Sequence, residues 1–159
     1  MSSSLIGKPA PIISLPNIRG GQYELPLGHK PIALFFFPKA GTSGCTTEVC
    51  SFRDAQKENV TFQRYPDLEI VGVSADPVAK GLSFADQHNL PFPLLSDEKG
   101  SARKAYGVEK SLFGLADGRE TFFIDRRGIV KGTHRGLVNA KAHVQFIEQM
   151  LKEAGEETQ

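Results

Sequence analysis

The chain has 159 residues, 40% of them hydrophobic and 23% charged, with a formal net charge of +1 and two cysteines. That length suits one domain with a core of its own, and so small a net charge sets up no field for nucleic acid or an anionic membrane. No apolar run approaches the ~18 residues of a membrane span, Met1-Ser2-Ser3-Ser4-Leu5-Ile6-Gly7 lacks the pattern of a secretory signal, and two cysteines are too few for a disulfide scaffold.

In chain order, residues 5–31 are rich in Pro and Gly, and Arg19-Gly20-Gly21-Gln22 predicts the turn of a hairpin between short strands. Pro31-Ile32-Ala33-Leu34-Phe35-Phe36-Phe37 is a continuous apolar run, as expected of a central strand covered on both faces. Helix signals follow over residues 43–57, and Leu68-Glu69-Ile70-Val71-Gly72-Val73-Ser74 is a second buried strand. Asp76-Pro77 predicts an N-cap with proline at the first helical position, opening a helix that runs to about residue 88. Residues 91–96 form a short extended segment and 101–106 a short helix. Glu120-Thr121-Phe122-Phe123-Ile124-Asp125 and Ile129-Val130-Lys131-Gly132 form a hairpin around Arg126-Arg127-Gly128. Asn139 is expected to cap a last amphipathic helix with Val144, Ile147, Met150 and Leu151 on one face. Nothing divides the chain, so the expectation is one domain over 1–159, with a core over about 5–152 and a frayed tail at 155–159. Strands and helices alternate first, then a hairpin and a terminal helix follow. The predicted class is α/β: a thioredoxin-like fold, with a central mixed β-sheet flanked by helices and an N-terminal β-hairpin.

The chemistry concentrates in Phe35-Phe36-Phe37-Pro38-Lys39-Ala40-Gly41-Thr42-Ser43-Gly44-Cys45-Thr46-Thr47-Glu48-Val49-Cys50. A buried strand runs into a loop of Pro, Gly, Thr and Ser, and Cys45 stands where the helix begins. At that place the helix dipole and the free N–H groups favour a thiolate. Cys50, the other cysteine, follows five residues later, and in a reducing compartment such a pair is catalytic more often than structural. Blander readings stand beside these on local grounds. Cys50 suits a small buried hydrophobe, Thr42 a turn residue, Pro38 a strand terminator and Arg119 a surface arginine. Glu48 is either a first-turn acid that complements the dipole or a polar contact supporting the site. Lys39 is expected to lie solvated at the site mouth, and Phe36 and Phe37 to serve as core and pocket wall. His29, His88, His134 and His143 form no metal spacing and read as surface or capping groups, so neither a metal nor a cofactor is expected.

Pro38-x-x-x-Thr42-x-x-Cys45 resembles the active-site motif of the peroxiredoxins. Gly44-Cys45-Thr46-Thr47-Glu48-Val49-Cys50-Ser51-Phe52-Arg53-Asp54 is similar to the peroxiredoxin Q (bacterioferritin comigratory protein) subfamily. Gly7-Lys8-Pro9-Ala10-Pro11, Val71-Gly72-Val73-Ser74-Ala75-Asp76, Leu94-Leu95-Ser96-Asp97 and Arg119-Glu120-Thr121-Phe122-Phe123-Ile124-Asp125 extend the resemblance over roughly residues 5–150. It implies that Cys45 is the peroxidatic cysteine, that Thr42 hydrogen-bonds the peroxide and that Pro38 shields the thiolate from water. It further implies that Arg119 is the active-site arginine, arriving from the far hairpin, and that Cys50 is the resolving cysteine of a single-chain disulfide. Ala40-Gly41 replaces a more polar pair, and the stretch 110–118, with Phe113 inside it, matches less closely. The implied activity is a thiol-dependent peroxidase acting on hydrogen peroxide and organic hydroperoxides in antioxidant defence. Thioredoxin or a similar dithiol would recycle it, and neither nucleic acid nor membrane is an expected partner. A monomer in the cytoplasm is the expected form, with nucleus and organelles as alternatives. A thioredoxin-like disulfide oxidoreductase and a redox-regulated binding protein or chaperone are the competing functions; the first is disfavoured because Cys-x-x-Cys is missing.

Helical geometry adds a condition. Five residues of regular helix separate two Cα atoms by roughly 8.6 Å, beyond the ~7 Å limit of a disulfide. If Cys45 and Cys50 share one helix, it must unwind before they bond, and oxidation is expected to melt the segment from about 44 to 53.

Overall fold

In a computed structural model the protein is described over residues 2–108, 118–136 and 139–157, so the expectation for residues 110–117, Phe113 included, lies outside the described residues. After a short 3-10 helix, Ser2–Leu5, comes the predicted hairpin, β1 (Ser14–Pro16) antiparallel to β2 (Gln22–Glu24). Next come β3 (Ile32–Phe36), α1 (Ser43–Glu58), α2 (Val60–Gln63), β4 (Glu69–Ser74), α3 (Val78–His88), β5 (Leu94–Ser96) and α4 (Ser101–Tyr106). β6 (Glu120–Ile124), β7 (Val130–Arg135) and α5 (Lys141–Glu157) complete the chain.

The central sheet has five strands in the order β5-β4-β3-β6-β7. β3, β4 and β5 run parallel, while β6 lies antiparallel to β3 and to β7. Every residue of β3 is buried, which is why it carries an unbroken apolar run. Its side chains alternate between two cores. Ala33, Phe35 and Phe37 pack with Cys45, Val49 and Phe52 of α1 and with Ile147 and Leu151 of α5. Ile32, Leu34 and Phe36 pack with Tyr106, Phe122 and the hairpin's Leu15. Phe52 stacks on Phe35 with ring centroids 4.6 Å apart, and fully burying such a side chain contributes about 1.5–3 kcal/mol. That stack pins the second half of α1 to the sheet.

Four local expectations are corrected. Phe36 is core but not pocket wall: strand alternation sends it to the face opposite Cys45, and Phe37 alone of the two shares the cysteine's cluster. Asp76 does not cap α3, because the N-cap is Pro77 and Asp76 stands one residue too early; its carboxylate turns inward instead. Asn139 lies two residues ahead of α5 and contributes its carbonyl oxygen, which accepts from the Ala142 N–H. Residues 155–157, expected in a frayed tail, belong instead to α5, which continues to Glu157. Tyr65 packs beside Gly155 and donates from its hydroxyl to the Leu151 carbonyl, holding those last turns. α2 has no counterpart among the predicted elements; Asn59 is its N-cap, and the Asn59 side chain accepts from the Thr61 and Phe62 N–H groups.

Candidate active site

Cys45 is the third residue of α1, 1% exposed, at the junction where β3 hands over to the helix. The loop before it is shaped by polar contacts and by one glycine. Gly41 has φ +89, a conformation that L side chains rarely adopt. Thr42 holds the N-cap position; its hydroxyl donates to the Lys39 carbonyl at 3.0 Å, and its own carbonyl accepts from the Thr46 N–H at 2.9 Å. The Lys39 N–H points at Cys45 Sγ, 3.5 Å away, while Lys39 itself is exposed. Pro38 is half-buried two residues beyond β3, so Pro38 and Thr42 lie in the short connection that leads from β3 to Cys45 in α1.

Asp76 locks this loop from behind. Its Oδ2 accepts from the Ala40 N–H at 2.7 Å and from the Ser74 hydroxyl at 2.8 Å. Arg103 of α4 clamps both strands that feed the site. One guanidinium nitrogen donates to the Phe37 carbonyl at 2.8 Å and another to the Gly118 carbonyl at 3.0 Å, the residues just before Pro38 and Arg119. The same guanidinium lies over the Phe36 ring, 5.8 Å from its centroid.

Arg119, immediately before β6, is buried at 3% exposure and reaches across the sheet to α1. One terminal nitrogen donates to Cys45 Sγ at 3.4 Å and the other to Glu48 Oε1 at 2.5 Å. The surface reading of Arg119 is therefore wrong, and of the two readings of Glu48 the supporting contact is the right one. Gly44 is small for this reason: a Cβ there would lie 3.1 Å from an Arg119 nitrogen. Cys50 is half-buried on the same helix, and both cysteines are free thiols. Burial pushes the Cys50 thiol up, Arg53 lowers it and Asp54 raises it.

His143, read from the sequence as a surface or capping group, is fully buried behind Glu48. Its Nε2 lies 2.8 Å from the Gly136 carbonyl, its Nδ1 lies 2.8 Å from the Thr121 hydroxyl and 3.5 Å from Glu48 Oε2. Burial holds His143 down at about 4, with the Gly136 contact opposing; burial pushes Glu48 up to about 8, with Arg119 opposing. A signal for His143 does exist in the sequence. It shares the i, i+4, i+8 stripe of α5 with Ile147 and Leu151, which face the core. Asp76 and Arg103 carry no comparable signal.

Taken together, a buried thiol at a helix opening receives a backbone N–H and a guanidinium, and the other cysteine sits five residues along the same helix. This arrangement can stabilise a thiolate and meet charge that develops on an oxygen beside the sulfur. Among the described residues no group of three His, Cys, Asp or Glu side chains is placed to hold a metal ion.

Residues 6–133 match the AhpC/TSA family. Chloroplastic peroxiredoxin Q of Triticum aestivum is 37% identical over 117 residues, 72% of this chain and 51% of the relative. The chain thus spans about half the length of that relative, and 64% of the Sedum lineare one. The crystal structure of peroxidoxin BcpB from Mycobacterium tuberculosis superposes with a TM-score of 0.81 at 34% identity, covering 93% of this chain and 96% of the other. The bacterioferritin comigratory protein of Xanthomonas campestris, studied for its alkyl peroxide reduction, gives 0.77 at 30% identity over 89% and 91%.

Proposed function

This chain belongs to the AhpC/TSA family and, within it, to peroxiredoxin Q, and from that premise we propose that it is a thiol-dependent peroxidase for hydrogen peroxide and organic hydroperoxides. The observation that carries the proposal is the Arg119 guanidinium at 3.4 Å from Cys45 Sγ, held there by Glu48. The Cys45 thiolate attacks the terminal peroxide oxygen; an S–O bond forms, the O–O bond breaks and the leaving oxygen departs as an alcohol or water after taking up a proton. Arg119 and the loop N–H groups stabilise charge on the departing oxygen, Thr42 orients the peroxide through its hydroxyl, and Pro38 keeps water from the sulfur. The product is a sulfenic acid on Cys45. The Cys50 thiol then attacks that sulfur, forming the disulfide and releasing water. Thioredoxin or a similar dithiol returns both cysteines to thiols.

Burial of Cys45 also weighs against a general disulfide oxidoreductase, since a small peroxide enters where a protein disulfide does not. We further propose one domain over 1–159, a monomer, located in the cytoplasm. No helix among the described residues is long and apolar enough to cross a membrane. Sedimentation of the reduced and oxidised protein checks the monomer.

One equivalent of peroxide tests the chemistry by intact mass. The wild type is expected to lose two hydrogens as the disulfide forms. Cys50→Ser is expected to gain oxygen on Cys45 once, stall, and then overoxidise. Oxygen gain in the wild type without loss of hydrogen would remove Cys50 from the resolving role.

Both cysteines lie in α1, so the helix has to open for the disulfide. The Phe52–Phe35 stack sets the limit of that opening, since unwinding past it would extract a fully buried ring. Oxidation is therefore expected to strip hydrogen-exchange protection from residues 44–51, a shorter stretch than helical spacing alone suggested, while β3 stays protected. Equal protection over 44–51 in both redox forms would contradict this motion.

A further inference from the structure

One buried oxygen in the site has no hydrogen-bond partner among the described residues: Glu48 Oε2. Its neighbour is His143 Nδ1, 3.5 Å away. The state of that nitrogen follows from the other side of the ring. His143 Nε2 lies 2.8 Å from the Gly136 carbonyl; a carbonyl only accepts, so Nε2 carries a hydrogen. In the neutral ring Nδ1 is then a lone pair, on which the Thr121 hydroxyl donates at 2.8 Å. A carboxylate oxygen buried against that lone pair, with no donor among the described residues, would be a buried anion set against an electron-rich atom. A proton on either atom removes the conflict.

We infer that Glu48 and His143 hold one proton between them in the reduced enzyme, so that Glu48 anchors Arg119 without cancelling its charge. His143 is thereby a positioning residue that acts on Cys45 through Glu48 and Arg119. The pair as a whole is neutral. Arg119, fixed at Glu48 Oε1, is then not neutralised by Glu48 and meets the Cys45 sulfur as a cation. Loss of the shared proton would place an anion 2.5 Å from the guanidinium and a second negative charge near the sulfur.

Among the described residues, few charged and titratable groups face the pair. Glu48 faces Arg119 from the segment before β6 and His143 from α5, and Cys45 of its own helix meets it through Arg119. His143 faces Glu48 and Arg119, and also the His134 ring of β7, edge-on at 4.7 Å. Burial moves Glu48 up to about 8 and His143 down to about 4, which leaves the interval between for a single bound proton.

The inference rests on the peroxidase reading, and two measurements keep the two apart. Nitrogen-15 and carboxyl carbon-13 NMR of the reduced wild type at pH 7 reads the proton directly, with no peroxide present. A protonated Glu48 beside a neutral ring, or a carboxylate beside an imidazolium, supports the inference; a carboxylate beside a neutral ring overturns it. The rate of Cys45 oxidation against pH reads the consequence. From pH 7 to 9 the wild-type rate is expected to fall at least threefold as the pair loses its proton. In Glu48→Gln, which cannot titrate, that fall should vanish. A wild-type fall that persists unchanged in Glu48→Gln overturns the coupling, whereas absence of any Cys45 oxidation would overturn the peroxidase reading and leave the NMR result to judge the proton. Should Glu48→Gln not fold, the wild-type spectra decide alone.

Discussion

Cys45→Ser is expected to abolish peroxide consumption, by more than about 10³-fold, while leaving the fold in place. A hydroxyl at this position has the size of the thiol but is not ionised near neutral pH, so the attacking anion is lost. The surroundings do not depend on sulfur. The Lys39 N–H and the Arg119 guanidinium, 3.5 and 3.4 Å from Sγ, can both donate to a serine oxygen. The side chain packs among Phe37, Val49 and other members of one core, and a change this small in volume costs little there. Peroxide consumption with a dithiol reductant measures the loss, and a thermal melt checks the fold. Turnover retained in a folded Cys45→Ser protein would assign the chemistry elsewhere.

Arg119→Ala is the second large effect. Removing one preorganised donor from a buried reacting centre typically costs about 10²–10³ in rate, and a loss of that size is expected in Cys45 oxidation. Arg119 does more than donate. It bridges Cys45 on one nitrogen and Glu48 on another, so its loss leaves the buried Glu48 carboxyl without its anchor. Breaking a buried pair in this way typically costs about 3–5 kcal/mol; because Glu48 takes up a proton readily here, the lower end of that range is expected in urea denaturation. Arg119→Lys separates charge from geometry. An ammonium keeps the charge but lacks the planar fork that spans both partners, so its rate should fall between those of alanine and wild type. A folded Arg119→Ala protein that is oxidised at the wild-type rate would return Arg119 to a purely structural role. The stability change and the rate change are separate readouts, so neither can stand in for the other.

Much of this protein is determined locally and is therefore present in its sequence. The all-apolar run of β3 reports a strand buried on two faces, and the Pro/Gly/Thr loop after it reports a turn into a helix with Cys45 at its start. The periodicity of α5 and the turn at Arg126-Arg127-Gly128 are of the same kind, since each depends on residues within a few positions of one another. Even the need for α1 to unwind is contained in the spacing of Cys45 and Cys50, because helical rise and disulfide length are fixed by covalent geometry. Arg119 stood out only through its resemblance to a known motif; its place 74 positions from Cys45 is a product of β6 pairing with β3. Asp76 read as a helix cap and became a lock on the Ala40 N–H, because the loop after β3 folds back over the end of β4. His143 read as a surface or capping group and became the neighbour of a Glu48 oxygen with no hydrogen-bond partner among the described residues, because α5 packs against α1. Short-range backbone preferences choose the elements; which buried polar groups meet, and hence which of them must share protons and charge, is decided only when those elements pack.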